Sequence, residues 1–432
     1  MKRNIENKLL VWEESSNRMP ILLLGARQVG KTYTVFNFAK AHFSSVLMIN
    51  FDGNTEVQKI FEPNLDPVRI VRELENIYDR QINIETLIFF DEIQACPKAL
   101  SSLKYFCEQL PDQPIIAAGS LLGIALKHQQ VSFPVGKVHR LTMYPMSFDE
   151  FLIAIGEERL LRTIIECASD YSPMQYTPHE RALSLYNDYL IVGGMPQAVK
   201  EYIEKKDMDF VSLTHQNIVL GYRDDMSKYS SLSESSRTRA TYNSIPSQLA
   251  RENTKFIYKL INSNARASAY EHCIDWLSDA GLIIRVNKTN TGMSPLSFRE
   301  DFSSYKIYMN DVGLLTYKSN IPVSLIKVKN ALADYSRGAI TENYVAVALS
   351  SNDHVLYYWG TNGNAEVDFV IETNQGAIPI EVKSSDNTKS KSLIEFVKKY
   401  HPAFSIRISK KNFGFENNIK SIPLYATFCI KK

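Results

Sequence analysis

The sequence has no apolar run approaching the roughly 20 residues that a membrane-spanning helix needs, and its opening Met-Lys-Arg-Asn-Ile-Glu-Asn lacks the apolar core of a signal peptide. No membrane partner is expected, and a cytoplasmic setting is. Cysteine is sparse: Cys96, Cys107, Cys167, Cys273 and Cys429 stand far apart with no C-x-x-C pair, which argues against a disulfide framework and against a zinc site. The eight histidines show no H-E-x-x-H spacing, so imidazole-based metal chemistry is not indicated. An excess of one charge is also missing, since 49 Lys and Arg face 47 Asp and Glu, and the net charge of +2 says little about partners for the whole chain. What remains is ordinary globular composition, 44% hydrophobic and 22% charged over 432 residues, enough for about three domains by length.

Within the first 145 residues, apolar strand-like runs (Ile21 to Leu24, Val46 to Phe51, Leu87 to Phe90, Ile115 to Ala118) alternate with stretches of helical spacing such as Tyr33 to Phe43 and Ala99 to Leu110. Alternation of this kind implies an α/β fold with a parallel sheet covered on both faces, and ligands in such folds bind beyond the carboxyl ends of the strands. The first run ends in Gly25-Ala26-Arg27-Gln28-Val29-Gly30-Lys31-Thr32, which fits G-x-x-x-x-G-K-S/T. In that pattern loop N–H groups and a helix N-terminus surround the phosphates of ATP, Lys31 reaches the β- and γ-phosphates, and the Thr32 hydroxyl ligates Mg²⁺. The third run ends in Asp91-Glu92, which places Asp91 to hold Mg²⁺ through its water shell and Glu92 to activate the attacking water. The fourth ends in Ala118-Gly119-Ser120, with Ser120 placed to sense the γ-phosphate.

These motifs, together with Phe-Phe-Asp-Glu-Ile-Gln and the later Tyr144-Pro145-Met146-Ser147-Phe148-Asp149-Glu150-Phe151, resemble the AAA-type ATPases of bacteria and archaea that carry a C-terminal domain related to PD-(D/E)xK nucleases. The resemblance implies a P-loop AAA+ core (residues 1–145), a helical lid and linker (146–240), a winged-helix domain (241–330) and an α/β restriction-endonuclease-like domain (331–432). It also implies homo-oligomers in which a neighbour supplies an arginine, for which Arg140 is a candidate.

In the middle of the chain, Asp224 to Arg239 is rich in serine and charge and reads as an exposed connection. Ser244 to Leu249, Thr254 to Ile261 and Ala267 to Asp279 read as three short helices, followed by a strand at Leu282 to Ile284 and another at Tyr305 to Tyr308. Three helices and a β-wing would make a winged helix. Such a unit either reads a DNA groove or packs on protein, and Ala267 to Asp279 carries no Lys or Arg.

Toward the C-terminus, Glu366 to Glu372 and Ala377 to Lys383 alternate on either side of Thr373-Asn374-Gln375-Gly376, a hairpin signal. That pairing sets Asp368 opposite Glu381 and Glu366 opposite Lys383. Facing carboxylates about 4.5–5.5 Å apart at Cβ repel unless a cation lies between them, and oxygen ligands favour Mg²⁺ or Mn²⁺. Lys383 would polarise water or neutralise a scissile phosphate. The nuclease resemblance adds Glu342 on a preceding helix. Lys383, Lys389, Lys391, Lys398, Lys399, Arg407, Lys410 and Lys411 form a basic tract that either follows a nucleic-acid backbone or is simply solvated. Two functions fit: an ATP-driven enzyme that processes DNA, or a non-nucleolytic ATP switch whose C-terminal half binds or assembles, with Glu366 and Lys383 paired across the hairpin.

Overall fold

The apolar runs near the N-terminus become the strands of a parallel sheet in the computed structural model of the chain, which describes residues 1–122, 124, 133–228, 231–251, 254–327, 334–361, 365–384 and 391–432. Contacts divide the chain into two units, residues 2–144 with 279–281, and residues 145–278 with 282–432. In the first, β1 (Ile21–Leu24), β2 (Ser45–Asn50), β3 (Thr86–Asp91), β4 (Ile115–Ala118) and β5 (His139–Thr142) lie in the order β2-β3-β4-β1-β5, every pairing parallel. Helices α1 (Ile5–Glu13), α2 (Lys31–His42), α3 (Thr55–Ile60), α4 (Pro67–Tyr78) and α5 (Pro97–Gln109) occur along the same segment. All six residues of β3 are buried. Phe90 meets Phe61 and Phe106 edge-on at centroid separations of 5.9 and 6.2 Å, so the strand that carries the acid pair is anchored in aromatic packing. Three strands, β1, β3 and β4, end together at the carboxyl edge, where the phosphate loop, Asp91-Glu92 and Ser120 emerge.

The second unit begins with helices α6 (Phe148–Ala154), α7 (Glu158–Asp170), α8 (Tyr176–Val192), α9 (Pro196–Lys205), α10 (Met208–Lys228) and α11 (Leu232–Leu249). The expectation of an exposed connection over Asp224 to Arg239 is corrected here: apart from residues 229 and 230, which lie outside the described set, and the extended cap Ser231, the stretch is helical. Composition misled because Ser235 and Thr238 are buried, their hydroxyls satisfied by the carbonyls of Leu232 (3.1 Å) and Glu234 (2.9 Å). A capping box of Ser231 and Glu234 starts α11.

Two of the three short helices read between Ser244 and Asp279 also take another form. Ser244 to Leu249 is the end of α11, and Thr254 to Ile261 holds only one 3-10 turn, Tyr258–Leu260. That segment is drawn out because Phe256 N–H donates to the Tyr305 carbonyl (2.8 Å) while the Gln248 amide bonds both backbone groups of Ile257 (2.9 and 3.0 Å). Of the three helices expected, α12 (Ala267–Asp279) forms as read. The two strands, β6 (Ile283–Thr289) and β7 (Glu300–Met309), are not a free wing: β6 pairs antiparallel with β7 and parallel with β8 (Tyr357–Gly360). They close one side of an eight-stranded sheet, β12-β13-β11-β10-β9-β8-β6-β7, whose other members are β9 (Glu366–Thr373), β10 (Gly376–Val382), β11 (Ser405–Ser409), β12 (Gly414–Glu416) and β13 (Ile419–Pro423). Helices α13 (Val312–Lys318), α14 (Val323–Lys327), α15 (Asp334–Ser351) and α16 (Lys391–Tyr400) complete the unit.

Asp311, only 1% exposed, ties the Gly193-Gly194 turn to α13: its carboxylate accepts from Gly194 N–H (2.6 Å) and Leu314 N–H (2.9 Å). Burial pushes its pKa up to about 6, and the N–H donors offset part of that cost. Because the folded state holds this proton longer than the unfolded chain, the residue's stabilisation is present in acid and is lost as pH rises through about 6. Asp311→Ala strands two buried N–H groups, so a loss of about 2–4 kcal/mol is expected in chemical denaturation at pH 7, against a much smaller loss for Asp311→Asn.

Candidate functional site

The phosphate loop takes its shape from two glycines in the left-handed half of φ space. Gly25 sits at φ +144°, where a Cβ would lie 2.3 Å from the Met143 carbonyl oxygen, and Gly30 at φ +94° forms the turn into α2. Between them Ala26 and Val29 are buried, Arg27 is half-buried, and Gln28 is exposed at the tip with φ +67°. Lys31 is 7% exposed and folds back over the loop, its Nζ donating to the carbonyls of Gly25 (2.8 Å) and Ala26 (2.9 Å). Desolvation lowers its pKa to about 8 against the opposing pull of Glu92 and Asp91. Arg3, which nothing in the sequence singled out, braces the loop from behind: its guanidinium donates to the carbonyls of Val29 (2.8 Å) and Tyr144 (2.7 Å).

Facing the loop, the Thr32 hydroxyl donates to Asp91 Oδ2 at 2.8 Å. Burial raises the Asp91 pKa and this hydroxyl pulls it down. The two oxygen groups already stand together, which fits an Mg²⁺ that would take Thr32 directly and Asp91 through water. Glu92 follows at φ +50°, a left-handed position that costs a non-glycine residue about 1 kcal/mol or more and aims the carboxylate off the strand end. One of its oxygens, Oε2, accepts from the Gln94 amide and, at 3.5 Å, from the Ser120 hydroxyl. A carboxylate oriented by two donors suits water activation. Glu92→Gln should lower steady-state phosphate release by about 10²–10³-fold with nucleotide affinity changed less than about threefold, as measured with a fluorescent ATP analogue. Arg140 lies exposed on edge strand β5 with its guanidinium 4.1 Å from the Phe133 ring centroid.

The second group gathers in the eight-stranded sheet. The β9–β10 ladder runs in the register expected from the hairpin, from Gly376 opposite Thr373 to Ile380 opposite Phe369. Beyond that pair the strands part, and Asp368 Oδ2 accepts from Val382 N–H at 2.7 Å. Desolvation, then the carboxylates of Glu381 and Glu342, raise the Asp368 pKa well above the ordinary range. Glu381 is 4% exposed; one oxygen takes the Lys383 ammonium at 2.5 Å, and the other, Oε2, is buried with no hydrogen-bond partner among the described residues. Burial works to lower the Lys383 pKa, but Glu381, with Asp368 and Glu342 behind it, overrides burial and raises it.

Ion pairing differs from the sequence expectation. Glu366 does not pair with Lys383 across the hairpin; it meets Lys306 of β7 at 2.7 Å, and the same ammonium meets Glu342 of α15 at 2.9 Å. Tyr308, also of β7, donates its hydroxyl to Glu342 Oε1. Lys306 is completely buried, and these carboxylates raise its pKa despite desolvation. Across β10, Arg407 stands in register with Glu381, its Nε buried and without a hydrogen-bond partner among the described residues. Lys391, Lys398 and Lys399 are exposed on α16, whereas Lys389 lies outside the described residues. Lys306 had a signal in the sequence, a lone charge inside the run Tyr305 to Met309. No group of three or more His, Cys, Asp or Glu side chains forms a metal ligand set among the described residues.

Residues 17–152 match a family described as an AAA domain, so the N-terminal segment is an AAA-type ATPase domain, for which ATP is the expected ligand. Residues 183–324 and 337–427 match two domains of unknown function, DUF8612 and DUF4143. Among solved structures, the chain is similar to the Walker-type ATPase PABY2304 of Pyrococcus abyssi, with 16% identity over 73% of this chain and 95% of that one at a TM-score of 0.45. It also aligns with the Orc1 protein of Aeropyrum pernix in complex with DNA, at 14% identity over 75% of this chain and 94% of that one, with a TM-score of 0.31. Likeness at this level does not extend to function. No curated protein matches the chain. No helix among the described residues is long and apolar enough to cross a membrane.

Proposed function

We propose that the chain is an ATP-hydrolysing AAA protein whose C-terminal half cleaves DNA phosphodiester bonds with a divalent metal. The observation that carries this reading is the end of the β9–β10 hairpin, where Asp368, Glu381 and Lys383 converge and Glu381 Oε2 is buried without a partner among the described residues. A buried, unsatisfied carboxylate oxygen beside a second carboxylate fits Mg²⁺ or Mn²⁺, and Asp368 and Glu381 would hold it. When bound, such an ion supplies Lewis acidity at a phosphoryl oxygen. The Lys383 ammonium, kept protonated by Glu381, neutralises charge on the scissile phosphate, and Arg407 offers its guanidinium to a phosphate oxygen. Exposed Lys391, Lys398 and Lys399 would follow the nucleic-acid backbone. Arg140, exposed on β5, would serve the ATP site of a second copy in a homo-oligomer.

The competing reading, a non-nucleolytic ATP switch with a binding or assembly module, draws on the ion pairs of Lys306 and Lys383, which neutralise part of the acid cluster without a metal. Incubating the protein with plasmid and linear DNA in Mg²⁺ or Mn²⁺, with and without ATP, beside Asp368→Asn, separates the two. Cleavage that needs metal and disappears in the variant is expected; intact DNA with ATP turnover preserved would favour the switch.

A further inference from the structure

Four carboxylates meet at the C-terminal site, Glu342, Glu366, Asp368 and Glu381, yet they are not equivalent. Lys306 reaches two of them, Glu342 and Glu366, from β7, a strand outside the helix and hairpin that carry the carboxylates. Its Nζ is buried to 0% exposure and makes contacts of 2.9 Å to Glu342 Oε1 and 2.7 Å to Glu366 Oε1. Glu342 Oε1 also accepts the Tyr308 hydroxyl, so that oxygen is bonded twice. A metal ion seeking Glu342 and Glu366 would have to expel or deprotonate an ammonium that has no exposure to water, and would leave two buried donors unpaired. Asp368 and Glu381 differ. Asp368 is held by a backbone N–H, and Glu381 keeps a buried oxygen with no partner among the described residues.

Resting on the reading of Asp368 and Glu381 as a metal site, we propose that Lys306 acts as a built-in cation that occupies the second half of the carboxylate cluster, restricting the site to one divalent ion. Lys306 is then a positioning residue: it fixes Glu342 and Glu366 as a neutralised pair behind the ion instead of as ligands to a second one. Its removal would leave Glu342 and Glu366 without the cation they share.

Mn²⁺ titration of the nucleotide-free full chain, followed by the electron paramagnetic resonance of free Mn²⁺, tests this. A Thr32→Ala background removes the P-loop ligand. One ion per chain is expected, lost when Asp368→Asn is added. Lys306→Met, apolar and of similar length, should raise the count to two. Two ions with Lys306 intact, or one ion in a folded Lys306→Met protein, would overturn the proposal. Glu366→Gln, at a half-exposed position that folding tolerates, should keep the single ion with affinity changed less than about threefold; loss of that ion would make Glu366 a ligand and overturn the assignment as well. No ion bound at all would sink the metal-site reading itself, and this inference with it, whereas a wrong count sinks the role of Lys306 alone.

Discussion

Replacing Lys31 by methionine should abolish ATP hydrolysis, with a fall of at least about 10²–10³-fold, and raise the ATP dissociation constant by about 100-fold, while the nucleotide-free protein folds as well as before or better. The loss follows from geometry. Removing one preorganised donor to developing phosphoryl charge costs roughly that factor, and Lys31 is the cation at the mouth of the loop. The gain in apo stability follows from burial, since the ammonium is 7% exposed and its pKa is lowered from 10.5 to about 8. Between those values the unfolded chain binds the proton and the folded chain does not, so stability increases as pH rises from about 8 to 10.5 and is at its lowest below about 8. A neutral side chain removes that cost, on the order of 3 kcal/mol at pH 7 from the size of the shift. The same linkage predicts that wild-type ATP affinity weakens above about pH 8, as the free lysine loses the proton that the phosphates need. Isothermal titration with ATP from pH 6.5 to 9.5, beside thermal melts of both proteins, checks all three effects. Retained turnover in the variant would remove Lys31 from the site.

The Gly25 and Ala26 carbonyls hold the Lys31 ammonium over the loop. The loop, its lysine, Asp91 and Glu92 were all legible in the sequence because each is fixed locally: a strand end, a turn only glycine can make, and a helix start. Register was legible in the β9–β10 hairpin for a similar reason, since a short turn, with Asn374 and Gln375 between the paired Thr373 and Gly376, sets the pairing of both strands.

What could not be read depends on partners far along the chain. Lys306 is a lone charge inside an apolar run with no partner in view until β6 pairs in parallel with β8 and brings β7 into the C-terminal sheet; its partner Glu342 lies 36 residues further on. Likewise the polar residues of α11 looked like a solvated linker because serine and threonine hydroxyls can be silenced by their own helix. Arg3 was hidden for the simplest cause: a single basic residue near a terminus carries no pattern, and only its two carbonyl partners show what it holds.

Asp368→Asn should make the protein more stable and less active at once. Its carboxyl is held well above the ordinary pKa by desolvation and by Glu381 and Glu342, so the proton is favoured in the folded state. A raised carboxylate pKa gives stability that is complete in acid and is lost as pH rises through the folded value, where the carboxyl ionises beside Glu381 and Glu342. Asparagine removes the charge, keeps an oxygen for the Val382 N–H, and should raise the melting midpoint by about 2–4 °C for each kcal/mol relieved. Divalent metal reverses the order. Saturating Mn²⁺ stabilises only the state that binds it, by about 2.7 kcal/mol at 100 times the dissociation constant, so the wild type should gain in Mn²⁺ and the variant should not. DNA cleavage should fall by about 10³-fold or more with the ion's anchoring carboxylate gone, and ATP turnover should be unchanged. Melts in chelator and in Mn²⁺, read beside plasmid cleavage, decide the matter independently of each other. A variant destabilised in chelator would mean that Asp368 is a structural hydrogen-bond acceptor whose charge the fold uses, and a variant that still cleaves would move the chemistry away from the β9–β10 hairpin altogether.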